Sequence, residues 1–188
     1  MAPCIDAEAE ALAALTRGHL NNFWAVASET LAYRGRPLLE AYVWARGGAE
    51  LEEDALAALA SAGARPTAEA VFLAFVTHAS QASLARLLAH TNANLLAEAA
   101  PRIIWHLTLT GDAPGLRRFF AAGGALPPAA SMPAGRLLHA VLDAPAFRDG
   151  SVAAVARLLV AHGADQNERD EWGRTPYERA TSLIAAAA

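Results

Sequence analysis

The phrase "VARLLVAHGAD" at 155–165 aligns without gaps on "LRRFFAAGGAL" at 116–126 and on "LARLLAHTNAN" at 84–94, with offsets of 39 and 32 residues. "ALAALASAGAR" at 55–65 is a weaker fourth copy. A recurrence on this scale constrains the chain more than any bulk property. Each copy is one supersecondary unit, too small to bury its own apolar face, so neighbouring units must stack to make a core. In "SVAAVARLLVAHGA" (151–164), which contains most of the best copy, Val152, Val155, Leu158 and Leu159 fall at the one-face spacing of an amphipathic helix. Gly163 then stops that helix, at a place where a left-handed backbone is cheap only for glycine.

A second helical stretch precedes each copy: "RPLLEAYVWARG" (36–47), "TAEAVFLAFVTH" (67–78), "PRIIWHLTLTG" (101–111) and "GRLLHAVLDAP" (135–145). Nearer the start, "EALAALTRGHLNNFWAVA" (10–27) reads as two short helices hinged at Gly18-His19. Alternating β-branched runs and Asn-Gly hairpin signals are absent. The expected fold is therefore all-α: five helix pairs and a final half pair from Thr175 to Ala188. Approximate units are 6–34, 35–66, 67–100, 101–133, 134–171 and 172–188. Much of the 54% hydrophobic content is alanine, so the core should rest on close helix contacts rather than large side chains.

Among these apolar stretches "GADQNERDEWGRTPYERA" (163–180) stands out as a charged tip carrying one tryptophan. It reads as helix, stop, exposed turn and sharp restart. The Thr175 hydroxyl is placed to cap a new helix. Pro176 occupies the first helical position, where a missing N–H costs nothing. Glu178, three residues on, completes a capping box.

A period of about 33 residues, with Thr-Pro opening the first helix and Gly-Ala-Asp closing the second, resembles the ankyrin repeat. Leu158, Leu159, Gly163, Ala164, Asp165, Asn167, Asp170, Gly173, Thr175, Pro176 and Ala180 sit where that pattern wants them. Pro37-Leu38, Gly18-His19, Leu138-His139 and Gly124-Ala125 are fragments of it. Thr-Pro survives once, Asn92 replaces the usual glycine, and "GGALPPAASMPAG" (123–135) is an unusually long turn. The resemblance implies a single domain, 1–188, built as a solenoid of stacked helix-turn-helix repeats. It also implies a non-catalytic module that binds one protein partner through its concave face and turn tips. The outward, variable positions of the matching window are Arg169, Glu171, Trp172 and Arg174. Turn and cap geometry accounts for Asp170, Gly173, Thr175 and Pro176 and asks nothing of those four neighbours. The alternative for Trp172 is that it folds back over the last helix pair. Trp44 and Trp105, with Tyr42 and His106, lie on first helices, where the core is the expected place for each tryptophan.

The sequence carries none of the common catalytic or metal signatures. All 15 basic residues are arginine, so there is no P-loop, no Schiff-base lysine and no Ser-x-x-Lys. The six histidines form no His-x-x-x-His, and no Gly-x-Ser-x-Gly elbow exists. "DQNERDE" (165–171) starts like a calcium loop but has Arg169 at its fifth position and Asp170 at the glycine position. Glu52-Glu53-Asp54 and Asp170-Glu171 read as solvated turn or helix-start charges. No enzyme, metal or cofactor is expected. A net charge of −4 gives no electrostatic case for nucleic acid, and no window is long and apolar enough to span a membrane. The single Cys4 excludes an intrachain disulfide. Acidic residues occupy the place where a signal peptide needs basic ones. The expectation is a cytoplasmic protein, monomeric when free, and bacterial by its arginine bias. It would be an inhibitor or immunity-type protein, with a host-directed effector or a helical enzyme with an unrecognised site as alternatives.

Overall fold

The computed structural model describes residues 4–21, 32–33, 36–90, 93–128, 137–143 and 151–187. Among these the chain forms ten helices and one pair of two-residue strands. The helices are α1 (Cys4–Thr16), α2 (Leu38–Arg46), α3 (Glu53–Ser61), α4 (Ala68–Val76), α5 (Gln81–Ala89), α6 (Ala93–Leu109), α7 (Ala113–Ala121), α8 (Leu137–Asp143), α9 (Ser151–Ala161) and α10 (Pro176–Ala187). The all-helical reading holds, apart from β1 (Ala32–Tyr33), which pairs antiparallel with β2 (Arg36–Pro37). The latter two residues were expected to open a helix. A residue before proline is driven away from the α region, so Arg36 is extended and the helix waits until Leu38. Asn92 and most of the long turn at 123–135 lie outside the described residues.

Two compact units divide the chain, residues 1–99 and 100–188, with the division inside α6. In the first, α2 packs between α1 and α4, while α3 lies on α2 and α5, and α5 on α4. Leu15, Leu38, Tyr42, Leu59, Phe75, Leu84 and Leu87 are fully buried. Polar hooks join successive loops and helices. The Leu51 N–H donates to the Ser83 hydroxyl over 2.9 Å, and the Leu51 carbonyl accepts from the Arg86 guanidinium over 2.9 Å. The Tyr42 hydroxyl accepts from the Glu52 N–H at 3.2 Å, and burial pushes this phenol above its ordinary pKa. Glu40, also buried, accepts from the Thr67 hydroxyl at 2.5 Å.

In the second unit α9 packs on α7 and on α8, and α10 packs on α8. Ile103, Ile104, Leu116, Phe119, Val155 and Leu159 are fully buried. Near the ends of α7 and α9 the Phe120 and His162 rings stack, with centroids 3.5 Å apart and planes 6° from parallel. Helix α6 begins eight residues before the stretch the sequence suggested. Pro101, read as a helix start, lies inside it. The preceding "ANLLAEAA" is built of good helix formers, which carry the helix through a proline that donates no bond.

Six of the described helix ends share one closure. At Gly18, Gly63, His78, Gly111, Gly123 and Gly163 the backbone is left-handed. In each case its N–H donates to the carbonyl three residues back, and the next N–H donates to the carbonyl five residues before itself. This Schellman geometry satisfies carbonyls that the last turn leaves open. It also corrects the sequence register. Gly163 corresponds to Gly123, not Gly124, so the structural offset is 40 rather than 39. Gly124 is small for another reason: a Cβ there would stand 2.4 Å from the Phe119 ring.

Both tryptophans assigned to the core lie outside it. Trp44, on α2, is 56% exposed, and Trp105, on α6, is 40% exposed. Their neighbours Tyr42, Val43, Ile103 and Ile104 fill the buried stripe instead.

Candidate functional site

The tip at 163–178 is built around one carboxylate. Asp170 is 7% exposed. Its Oδ1 accepts from the Trp172 N–H at 3.0 Å and the Arg174 N–H at 2.9 Å. Its Oδ2 accepts from Arg174 Nε at 3.3 Å, and Nη2 of the same guanidinium stands 3.2 Å away. Backbone bonds close the loop: the Asp170 N–H donates to the Arg174 carbonyl, and the Gly173 N–H to the Asp170 carbonyl, each at 2.9 Å. Desolvation would raise the Asp170 pKa. The Arg174 and Trp172 N–H groups and the Arg174 guanidinium outweigh it and hold the carboxyl below the usual range.

Both flanks are fixed as well. The capping box forms as the sequence indicated: the Glu178 N–H donates to Thr175 Oγ1 at 3.3 Å, and the Thr175 N–H donates to Glu178 Oε2 at 2.8 Å. The Thr175 N–H, then the Thr175 hydroxyl, hold the Glu178 carboxyl below its ordinary pKa, with help from Arg169. Asp165 Oδ1 accepts from the Asn167 N–H at 2.8 Å. Beneath the tip, the buried His139 of α8 is 3.0 Å from the Glu168 carbonyl through Nε2. That bond makes Nε2 the protonated nitrogen, since a carbonyl only accepts. Arg179 pairs with Asp143 and donates to the His139 carbonyl, tying α10 to α8. His139 is an anchor that the sequence signalled only as part of a Leu-His fragment.

Within this frame the four expected contact residues share one short loop, but they differ in kind. Trp172 is 65% exposed. It projects outward rather than folding over the last helix pair. Glu171 is exposed. The arginines are scaffold too, which corrects the expectation that folding asks nothing of them. Arg174 holds Asp170, and its guanidinium carbon lies 4.9 Å from the Trp172 ring centroid. Arg169 donates to the Gly173 carbonyl and stands 3.9 Å from Glu178. The sequence missed these roles because they depend on how the loop closes, which spacing does not reveal. Tyr177, five residues after Trp172, is 80% exposed and was not singled out.

The closed loop presents an exposed indole beside the cation that holds Asp170. Aromatic anchors on a fixed backbone lose little conformational entropy on binding. Among the described residues no three His, Cys, Asp or Glu side chains are grouped so as to hold a metal ion, and no helix is long and apolar enough to cross a membrane. No family model, no curated protein and no solved structure matches the chain.

Proposed function

We propose that the chain is a degenerate ankyrin-type repeat solenoid that binds one protein partner without catalysis, as an inhibitor or immunity-type protein. The single observation that carries the binding reading is Trp172, 65% exposed on a loop closed by Asp170 and Arg174. Tryptophan and arginine together are the residue types most enriched among energetic anchors of interfaces. The recurring helix-end closure and the Thr175–Glu178 capping box support the repeat assignment.

The test compares the parent chain with Trp172→Ala. Each is immobilised and exposed to native lysate, and the captured protein is identified and titrated. A partner held by the parent and released by the variant at equal fold stability supports the reading. A partner held equally by both moves the contact face away from this tip. For the inhibitor reading, the purified partner is assayed with and without the chain, and an unaffected activity overturns it.

A further inference from the structure

The corner of the tip carries the two side chains that the loop does not spend on its own closure. The Gly173 N–H donates to the Asp170 carbonyl at 2.9 Å, so Glu171 and Trp172 are the central residues of a four-residue turn. Both are exposed. Their backbone is held from beneath, since the buried Asp170 carboxylate accepts from the Trp172 N–H and from the Arg174 N–H. The turn therefore offers a carboxylate and an indole, side by side, on a fixed frame.

Charge at this corner is unbalanced. Each arginine of the tip has a carboxylate of its own: Arg174 Nη2 lies 3.2 Å from Asp170, and Arg169 Nη1 lies 3.9 Å from Glu178. Each is also committed as a donor, Arg169 to the Gly173 carbonyl and Arg174 to Asp170 Oδ2. Glu171 has no such counterpart, and neither has the exposed Asp165 at the start of the loop. Among the described residues no cation pairs with either carboxylate. The surface around Trp172 thus carries negative charge that no cation of the loop balances.

The indole narrows the partner further. The Arg174 guanidinium carbon lies 4.9 Å from the ring centroid, yet the residue stays 65% exposed, so much of the ring is open. Because Asp170 neutralises that guanidinium, it repels a second cation less than a free arginine would. An aromatic face attracts a guanidinium or an ammonium group, and here a carboxylate stands one residue away. An acidic partner would meet Glu171 and Asp165 with no unpaired arginine to answer it. A wholly apolar partner would desolvate Glu171 without giving it a mate, which costs affinity.

We propose that the 165–172 corner recognises a basic segment of a partner protein. An arginine or lysine of that segment lies on the open part of the Trp172 ring with its charge paired to Glu171, and a neighbouring basic residue faces Asp165. The proposal rests on the protein-binding reading of the tip and adds the charge of the partner to it.

The experiment uses the whole chain, with a displayed library of random heptapeptides as the probe. Peptides retained by the immobilised parent and lost by Trp172→Ala define the ligands of the tip. These should be rich in arginine and lysine and poor in aspartate and glutamate. The tightest of them is then titrated by fluorescence anisotropy. Its affinity should fall as salt rises. Glu171→Gln should weaken it about fivefold, the upper range for an exposed ion pair. Glu171→Arg should weaken it more than about tenfold, because like charges then meet. That variant should also bind the same peptide with its basic residues changed to glutamate better than the parent does. Thermal melts of both Glu171 variants should match the parent.

Tip-dependent peptides that are acidic or uncharged overturn the proposal and leave the tip reading standing. So does a basic peptide whose affinity ignores both salt and Glu171→Gln. Peptides that bind Trp172→Ala as tightly as the parent remove the tip from the binding reading, and this proposal with it. A library that yields nothing beyond the chain-free support overturns the proposal as well. If Trp172→Ala melts early, Trp172→Gln takes its place under the same criteria.

Discussion

The Arg174 guanidinium stands over the Trp172 indole, its carbon 4.9 Å from the ring centroid. The same group binds Asp170, so the exposed indole of the tip is braced by a residue that also closes the loop. This separates two effects in mutants. Trp172→Ala removes contact surface alone, and the melting temperature should stay within about 2 °C of the parent, as for a surface substitution. Partner binding should weaken by about 2 kcal/mol or more, the range of an interface anchor. Differential scanning fluorimetry and a binding titration check the two halves separately.

Arg174→Ala should fail in both respects. It loosens the loop, because Asp170 keeps its two N–H donors but loses its ion pair, and it frees the indole. A stability loss of about 1 kcal/mol is expected for a partly exposed pair. Hydrogen exchange at the Gly173 amide, bonded to the Asp170 carbonyl, should speed up in this variant and stay slow in Trp172→Ala.

Leu159 is fully buried in α9, so Leu159→Ala should cost about 2–5 kcal/mol in urea unfolding, the range for truncating a core leucine. At Gly163 the backbone has φ +99°, and an added Cβ would meet nothing within 4 Å. The cost of Gly163→Ala is therefore backbone strain alone, about 1 kcal/mol. Gly163→Asn should recover part of it, since asparagine tolerates the left-handed region. Equal losses for alanine and asparagine would point to packing instead.

Thr175→Ala removes the hydroxyl that caps α10 and should cost about 1 kcal/mol. Glu178→Gln keeps an acceptor for the Thr175 N–H but drops the charge. A double-mutant cycle between the two positions should show coupling, because each side chain bonds the other's backbone.

Acid should weaken the tip. The folded pKa values of Asp170 and Glu178 both lie below the ordinary carboxylate range. Their contribution is complete above about pH 5 and is lost as pH falls through the depressed values, because the unfolded chain takes up those protons first. Stability between pH 7 and pH 3 should fall less steeply in Asp170→Asn than in the parent. Parallel pH profiles would remove Asp170 from this account.

What the sequence carried well was local chemistry. Thr175, Pro176 and Glu178 announce a helix start through atoms only three residues apart, and Gly163 announces a stop. What it obscured was set by contacts between elements. Two adjacent glycines, Gly123 and Gly124, are equivalent in a string, yet one supplies a left-handed backbone and the other makes room for Phe119. Pro101 reads as a beginning because proline usually is one, and the helix before it is visible only as unremarkable alanine and leucine. Trp44 and Trp105 match an apolar pattern, but the buried stripe is filled by smaller neighbours. For the candidate site, composition pointed to the tip, while the duties of Arg169 and Arg174 depended on a closure that spans no recognisable motif.

The hook at Leu51 has a consequence for anyone treating the units as interchangeable cassettes. The N–H and the carbonyl of that one residue are satisfied by Ser83 and Arg86, side chains that belong to the following pair. A graft or duplication that copies 35–66 alone would carry a socket without its plug. A segment that keeps these bonds must run past Arg86 to the end of α5 at Ala89, and a cut at 66 separates Leu51 from both of its partners.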